Sequence, residues 1–83
     1  MKMKYIMATI RGTTNTPIIF PEYITHIEIK RKLKIEEITS AGFVTIDIVN
    51  NEPVAKCYGE SLTLNLVSKE TDGDKITRYF RGY

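Results

Sequence analysis

The sequence lacks the residues that covalent and metal-based scaffolds require. Its 83 residues include one cysteine, Cys57, one histidine, His26, and no tryptophan. A disulfide framework needs paired cysteines, and a structural zinc site needs about four Cys or His ligands. Because neither set can be assembled within one chain, we predict a protein without metal or cofactor, whose fold depends on side-chain packing.

Long apolar runs and a strong net charge are also missing. The first eight residues begin like a signal peptide, but Thr9 and Arg11 interrupt the apolar run. A secretory segment needs roughly 7–15 apolar residues and a membrane span about 20. The formal net charge is only +2, which is too small to indicate nucleic acid or a membrane surface as the partner. We therefore expect one cytoplasmic domain over residues 1–83, with no membrane partner.

β-Branched residues dominate what is present. Isoleucine, threonine and valine make up nearly a third of the chain, which favours strands. Gly42 interrupts the longest strand pattern at residues 40–42 and indicates a bulge or a close backbone approach. Prolines at both ends of the second strand suit an edge position. Alternation and turn residues predict strands over 4–11, 16–20, 36–49, 54–58 and 61–67, with turns at 12–15 and 50–53 and with Leu62, Leu64 and Leu66 inward.

Two further segments predict short helices. Over 25–33, Thr25 fits an N-cap and Glu28 completes a capping box, with Ile24 and Ile29 at the staple positions. Alternation over 27–35 also suits a strand, so both assignments stay open and the helix is favoured. Near the C-terminus, residues 71–74 provide a second N-cap with acidic residues at the helix start. Together these elements predict an α+β fold, with a mostly antiparallel sheet of about five strands and two short helices.

The last helix carries an aromatic stripe at helical spacing. Small chains without disulfides bury too little surface alone and often associate with a second copy. Tyr, Phe and Arg are enriched at such interfaces. We therefore predict a homo-oligomer whose contact residues are Ile76, Tyr79, Phe80 and Tyr83.

A polar cluster at a predicted strand break is the main candidate for ligand binding. Tyr58, Glu60 and Ser61 surround Gly59 and offer a ring, a carboxylate and a hydroxyl. The cluster fails as a hydrolase nucleophile elbow, because Thr63 stands where the second glycine is needed. The alternative is a β-bulge with solvated side chains.

Two residues elsewhere complete the candidate site. His26, at the start of a helix, is expected to be neutral and able to act as a base or bind a polar ligand. Arg78 would meet a phosphate. Its place on the last helix is explained either by pairing with Asp74 or by the contact between copies, and both explanations stay open. Cys57 lies within a predicted strand and is expected to be buried and inert.

Four cations form the densest positive patch of the sequence. They are flanked by acidic residues and no aromatic residue is interleaved, whereas single-strand nucleic-acid binders combine cations with stacking aromatics. A solvated helix surface is the favoured interpretation, and nucleic acid the less favoured partner. The patch consists of Lys30, Arg31, Lys32 and Lys34.

Three stretches resemble a family of short proteins encoded by tailed bacteriophages and prophages. They read TPIIFP at residues 16–21, SAGFV at 40–44 and CYGESL at 57–62. The family offers no assigned catalytic residues to transfer. What the resemblance implies is a phage protein, a class whose small members include inhibitors of bacterial immunity.

Three functional hypotheses follow. The first is a non-enzymatic, homo-oligomeric binding protein that counters host defence by binding a nucleotide signal, such as a cyclic nucleotide, or a host defence protein. The second is a small nucleotide hydrolase with His26 as base and Glu60 as acid. The third is a nucleic-acid-binding accessory protein that uses the patch at residues 30–34.

Overall fold

The long strands of the chain pair into one curled antiparallel sheet. The computed structural model describes residues 2–82 and confirms the α+β fold, with a four-stranded sheet, a two-stranded sheet and two helices. The strand order is β2-β1-β3-β4, with β5 paired to β6. In chain order the elements are β1 (Lys2–Ile10), β2 (Thr13–Phe20), α1 (His26–Lys32), β3 (Glu37–Val49), β4 (Glu52–Tyr58), β5 (Glu60–Ser61), β6 (Leu66–Val67) and α2 (Asp72–Arg81).

Both faces of the central strand β1 are buried. Tyr5 and Met7 join Ile76 of α2 in one core. Ile6 and Ala8 join a second core on the other face, to which side chains of α1 and of the β5–β6 hairpin contribute. The sheet is therefore covered by α2 on one face and by α1 with the small hairpin on the other.

The first hairpin is tighter than the sequence predicts. The turn is formed by Arg11 and Gly12, with φ angles of 52° and 78°, and Ile10 pairs with Thr13. Residues 13–15 thus belong to β2 rather than to the turn, because two residues of positive φ suffice for a hairpin. The edge position of β2 is confirmed, and Pro17 lies opposite Met7 within it.

The long strand β3 is continuous, so the predicted interruption at 40–42 is wrong. Met7 pairs with Ser40 but Ala8 pairs with Ile38, which leaves Thr39 as an extra residue. This bulge bends the strand without ending it. The close approach predicted at Gly42 is confirmed, since an added Cβ would lie 2.5 Å from the carbonyl oxygen of Tyr58.

The predicted strand over 61–67 is instead a miniature hairpin, and Leu62 is 82% exposed rather than inward. The Ser61 hydroxyl accepts a hydrogen bond from the Leu64 amide, and the Asn65 amide donates to the Leu62 carbonyl. Asn65 has a φ of 54°, a conformation that asparagine tolerates. This turn chemistry outweighs the leucine alternation; Leu64 and Leu66 are half-buried.

The ambiguous segment over 25–33 is a helix, as favoured. Thr25 is its N-cap and its hydroxyl accepts from the Glu28 amide at 3.2 Å. Ile24 and Ile29 lie in the same core, as the staple predicts.

The second helix is also present, but its cap differs from the prediction. The Thr71 side chain makes no capping bond. The Asp72 carboxylate accepts from the Lys69 amide at 3.0 Å, which ties the helix to the segment before it and caps none of the helix amides. The Thr77 hydroxyl accepts from the Ala55 amide at 2.9 Å, which fastens α2 to β4. Neither helix within residues 2–82 is long and apolar enough to cross a membrane.

Candidate ligand-binding cleft

A cleft of about 430 Å³ opens beside the start of α1, on the face of the sheet opposite α2. We call it the His26 cleft. Its size lies within the range typical of small-molecule sites, about 300–1,000 Å³. It brings together three of the residues proposed from sequence, His26, Glu60 and Ser61. Its lining consists of Lys4, Thr25, His26, Phe43, Gly59, Glu60, Ser61, Leu62 and Thr63.

Two glycines shape one wall of the cleft. Gly42 allows the backbone at Tyr58 to approach β3 closely. Gly59 has a φ of 77° and turns the chain out of β4, a conformation that side-chain-bearing residues rarely adopt. A Cβ on Gly59 would also lie 3.0 Å from the Phe43 ring. The segment that carries Glu60 and Ser61 is therefore directed across the cleft by backbone geometry.

Four rings form a continuous row along the cleft. Phe20 and His26 meet edge to face at 5.4 Å between ring centroids, and His26 meets Phe43 in the same way at 6.3 Å. Phe43 and Tyr58 are stacked at 5.8 Å. Such contacts favour one arrangement of the rings, so the apolar wall of the cleft is held in place before a ligand enters. Tyr58 supports Phe43 from the neighbouring strand and is not among the lining residues.

His26 is a buried part of that row. Its side chain is 4% exposed and its Nε2 lies 3.0 Å from the Gly42 carbonyl oxygen. A carbonyl oxygen only accepts, so Nε2 carries the proton. Burial, with a smaller contribution from the nearby Lys4 charge, lowers the pKa of His26 below its usual 6.5. The ring is thus neutral, as expected, but burial rather than the helix dipole is the main cause.

The lowered pKa predicts that His26 makes the protein sensitive to acid. Below pH 6.5 the unfolded chain binds a proton that the folded ring resists, so stability falls as the pH falls. Between pH 7 and 5 the wild type should lose more unfolding free energy than a His26→Gln variant, by at most about 2 kcal/mol, the limit set by the ordinary histidine pKa. Urea unfolding at both pH values measures the difference, and equal pH slopes in the two proteins would contradict it.

Lys4 is the cation of the cleft, and the sequence-based candidates did not include it. Its Nζ donates to the Ile24 carbonyl at 3.0 Å. An ammonium has three donors, so two remain for a ligand. The strand alternation contained a signal for this placement, since Lys4 shares the β1 face of Ile6 and Ala8. Lys2 adds positive charge nearby, with its Nζ 4.5 Å from the Phe43 ring centroid.

Ser61 and Glu60 have different roles within the cleft. Ser61 is 2% exposed, and its hydroxyl accepts the Leu64 amide at 3.3 Å. It therefore holds the β5–β6 turn and offers little to a ligand. Glu60 is exposed and is one of the lining residues.

The remaining candidates lie outside the cleft. Arg78 is on α2, which covers the other face of the sheet, and is not among the lining residues. Ile76, proposed as a contact between copies, is completely buried in the core of its own chain. Tyr79 and Phe80 remain 57% and 49% exposed. Tyr83 lies outside the described residues.

Cys57 is half-buried, and burial is the largest cause that raises the pKa of its thiol, to about 11. A thiol of this kind is a poor nucleophile at neutral pH, as the sequence predicts. Within residues 2–82, no group of three or more His, Cys, Asp or Glu side chains is arranged to hold a metal ion.

Comparisons with protein-family models, curated proteins and solved structures find no match to this chain. The functional argument therefore depends on the geometry of the cleft.

Proposed function

We propose that this protein is a small phage-type binding protein whose His26 cleft holds a nucleotide-like ligand. The observation that carries the proposal is the convergence of a cation, an aromatic wall and a carboxylate on one cleft, supplied by Lys4, Phe43 and Glu60. A flat base joined to an anionic group has the matching chemistry.

Each part of such a ligand has a partner in the cleft. The two unused donors of Lys4 suit a phosphate oxygen. Phe43 offers apolar ring surface to the base. Glu60, as a carboxylate, accepts hydrogen bonds from a base amino group or a sugar hydroxyl. These roles replace those proposed from sequence, since Arg78 lies on the other face of the sheet, Tyr58 supports Phe43 and Ser61 holds a turn.

The phage resemblance provides the biological context of the proposal. A protein that sequesters a nucleotide immune signal in the host cytoplasm removes it stoichiometrically and requires no catalytic group. Binding a host defence protein is the other route by which a small phage protein would act.

The charge on Lys4 predicts a clear effect on ligand binding. We expect titration calorimetry against a panel of cyclic and linear nucleotides to identify a ligand, and Lys4→Gln to weaken its binding by about tenfold or more, since a charge-assisted hydrogen bond contributes roughly 1.5–3 kcal/mol. Phe43→Leu should weaken it as well. Lys69→Gln, which removes the same charge from an exposed residue outside the cleft, should not. Absence of binding across the panel, or an unchanged affinity in Lys4→Gln, would exclude this ligand class.

The hydrolase hypothesis has one observation in its favour, because His26 and Glu60 line the same cleft. A general base must reach the proton that it abstracts, and His26 is 4% exposed with Nε2 committed to Gly42. Binding is therefore the better supported function. Chromatography of the nucleotides after incubation tests for turnover, and turnover that persists in His26→Gln would remove His26 as the base.

We further propose that two copies meet through the end of the molecule that carries the exposed aromatics. The Arg81–Glu52 ion pair, at 3.2 Å, brings the end of α2 to the β3–β4 turn. Ile48 and Val49, the last residues of β3 before that turn, are exposed, as are Tyr79 and Phe80 of α2. Light scattering should report a mass above that of one chain, and a lower mass for Phe80→Ser. A monomeric wild type would exclude self-association.

A further inference from the structure

A second groove, of about 540 Å³, lies between the β1–β2 turn and the end of α1. We call it the basic groove. Three of its six lining residues are cations, and they come from two segments that are far apart in sequence. Its lining consists of Ile10, Arg11, Lys32, Leu33, Lys34 and Glu36.

Hydrogen bonds through Glu36 hold the two walls of the groove together. The Gly12 amide donates to the Glu36 carboxylate at 3.0 Å, and the Glu36 amide donates to the Thr9 carbonyl at 3.0 Å. The only carboxylate in the lining is therefore already engaged by the backbone of the turn. The walls are tied before any partner arrives, which lowers the entropic cost of binding.

The cations of the basic groove have no anionic partner within residues 2–82. The ion pairs of this part of the chain join Lys2 to Glu22 and Arg81 to Glu52. Basic residues in the last turn of a helix such as α1 offset its dipole, which explains Lys32. Arg11 lies in the β1–β2 turn and Lys34 follows the helix, so the helix dipole does not account for the position of either cation.

The apolar part of the lining distinguishes between two kinds of anionic partner. It is aliphatic and consists of Ile10 and Leu33, the latter 41% exposed. No aromatic side chain lines the groove, whereas sites for single-stranded nucleic acid place aromatic rings under the bases. A lining that combines aliphatic side chains with three cations instead suits a polypeptide that carries both carboxylates and an aliphatic side chain.

We propose that the basic groove is a docking site for an acidic segment of a partner protein, in which one aliphatic side chain lies between aspartates or glutamates. The aliphatic side chain contacts Ile10 and Leu33, and its acidic neighbours pair with Arg11, Lys32 and Lys34. This surface is separate from the His26 cleft, so the two sites are testable independently.

Fluorescence anisotropy with a labelled peptide of sequence Glu-Asp-Leu-Asp-Glu tests the proposal on the full chain. We expect binding at low salt that weakens as salt is added. A matched peptide with glycine in place of leucine should bind about tenfold more weakly, because it buries no aliphatic side chain. Lys32→Gln combined with Lys34→Gln should weaken the leucine peptide about fivefold. Lys69→Gln, a surface charge outside the groove, should leave the affinity unchanged.

The variant Leu33→Ser separates the aliphatic contact from the charges. It should abolish the difference between the two peptides while preserving the salt dependence. The proposal is overturned if neither peptide binds at low salt, or if both bind equally to the wild type. It is also overturned if a single-stranded or duplex DNA oligonucleotide binds more tightly than the peptide and loses affinity in the lysine variant, since the surface would then recognise nucleic acid.

Discussion

Replacing Tyr5 with phenylalanine should lower the free energy of unfolding by about 3 kcal/mol, one of the two largest stability effects expected for this protein. The Tyr5 hydroxyl donates to Asp72 Oδ2 at 2.5 Å, and both residues are completely buried. Removing the hydroxyl leaves the carboxylate with the Lys69 amide alone, since Oδ1 of Asp72 has no hydrogen-bond partner in the described part of the chain. A buried carboxylate that has lost a hydrogen-bond donor destabilises the folded state, because water cannot reach the site to replace that donor.

Denaturant unfolding measures this effect, and the chain provides a matched control. Tyr23 is 83% exposed, so Tyr23→Phe removes the same hydroxyl from a solvated position and should change stability by less than about 0.5 kcal/mol. A double-mutant cycle with Asp72→Asn should give a coupling of about 2 kcal/mol between the two side chains. Similar losses in the two tyrosine variants would show that the buried contact contributes nothing.

The second large effect is expected at Gly42. A Cβ at this position would lie 2.5 Å from the Tyr58 carbonyl oxygen and 3.3 Å from the Gly59 carbonyl carbon. Both are backbone atoms, which cannot rotate away as a side chain would. Gly42→Ala should therefore separate β3 from the end of β4 and cost about 3 kcal/mol of unfolding free energy.

Gly12 provides a control that separates the effect of steric crowding from the effect of backbone conformation. A Cβ on Gly12 would meet nothing within 4 Å, but its φ is 78°. Gly12→Ala should therefore cost only about 1 kcal/mol, from the positive φ alone. Gly42→Ala should also disturb the His26 ring, whose partner is the Gly42 carbonyl. Equal losses of unfolding free energy in the two variants would mean that the strands at Gly42 separate without an energetic cost.

The successes of the sequence-based predictions share one cause, which is that the deciding interactions are local. The helix α1 is specified by a threonine and an amide three residues later. The strand β1 follows from alternation and β-branched residues within a single segment. The errors occurred where one local signal outweighed another. At Leu62 the alternation of leucines predicted a strand, but the Ser61 hydroxyl and the positive φ of Asn65 form a turn.

The candidate site was predictable in part for the same reason. The strand break at Gly59 identified Glu60 as a candidate, and the neutrality of His26 was predicted, although from the helix start and not from burial, its main cause. Lys4 could not be identified as a site residue, since nothing near it in the chain indicates a ligand. The assignment of Ser61 to a turn and of Ile76 to the core depends on contacts with Leu64 and with the face of the sheet.

The sequence alone determined the α+β class, the helix at α1 and the edge strand with Pro17, because these depend on composition and on short-range backbone chemistry. Only the tertiary structure decided which groups converge. Antiparallel pairing of β1 with β3 places Lys4 opposite Phe43, and the approach of Tyr58 to Gly42 closes the wall beside His26. Such distances depend on strand register and sheet curvature, which arise from long-range packing.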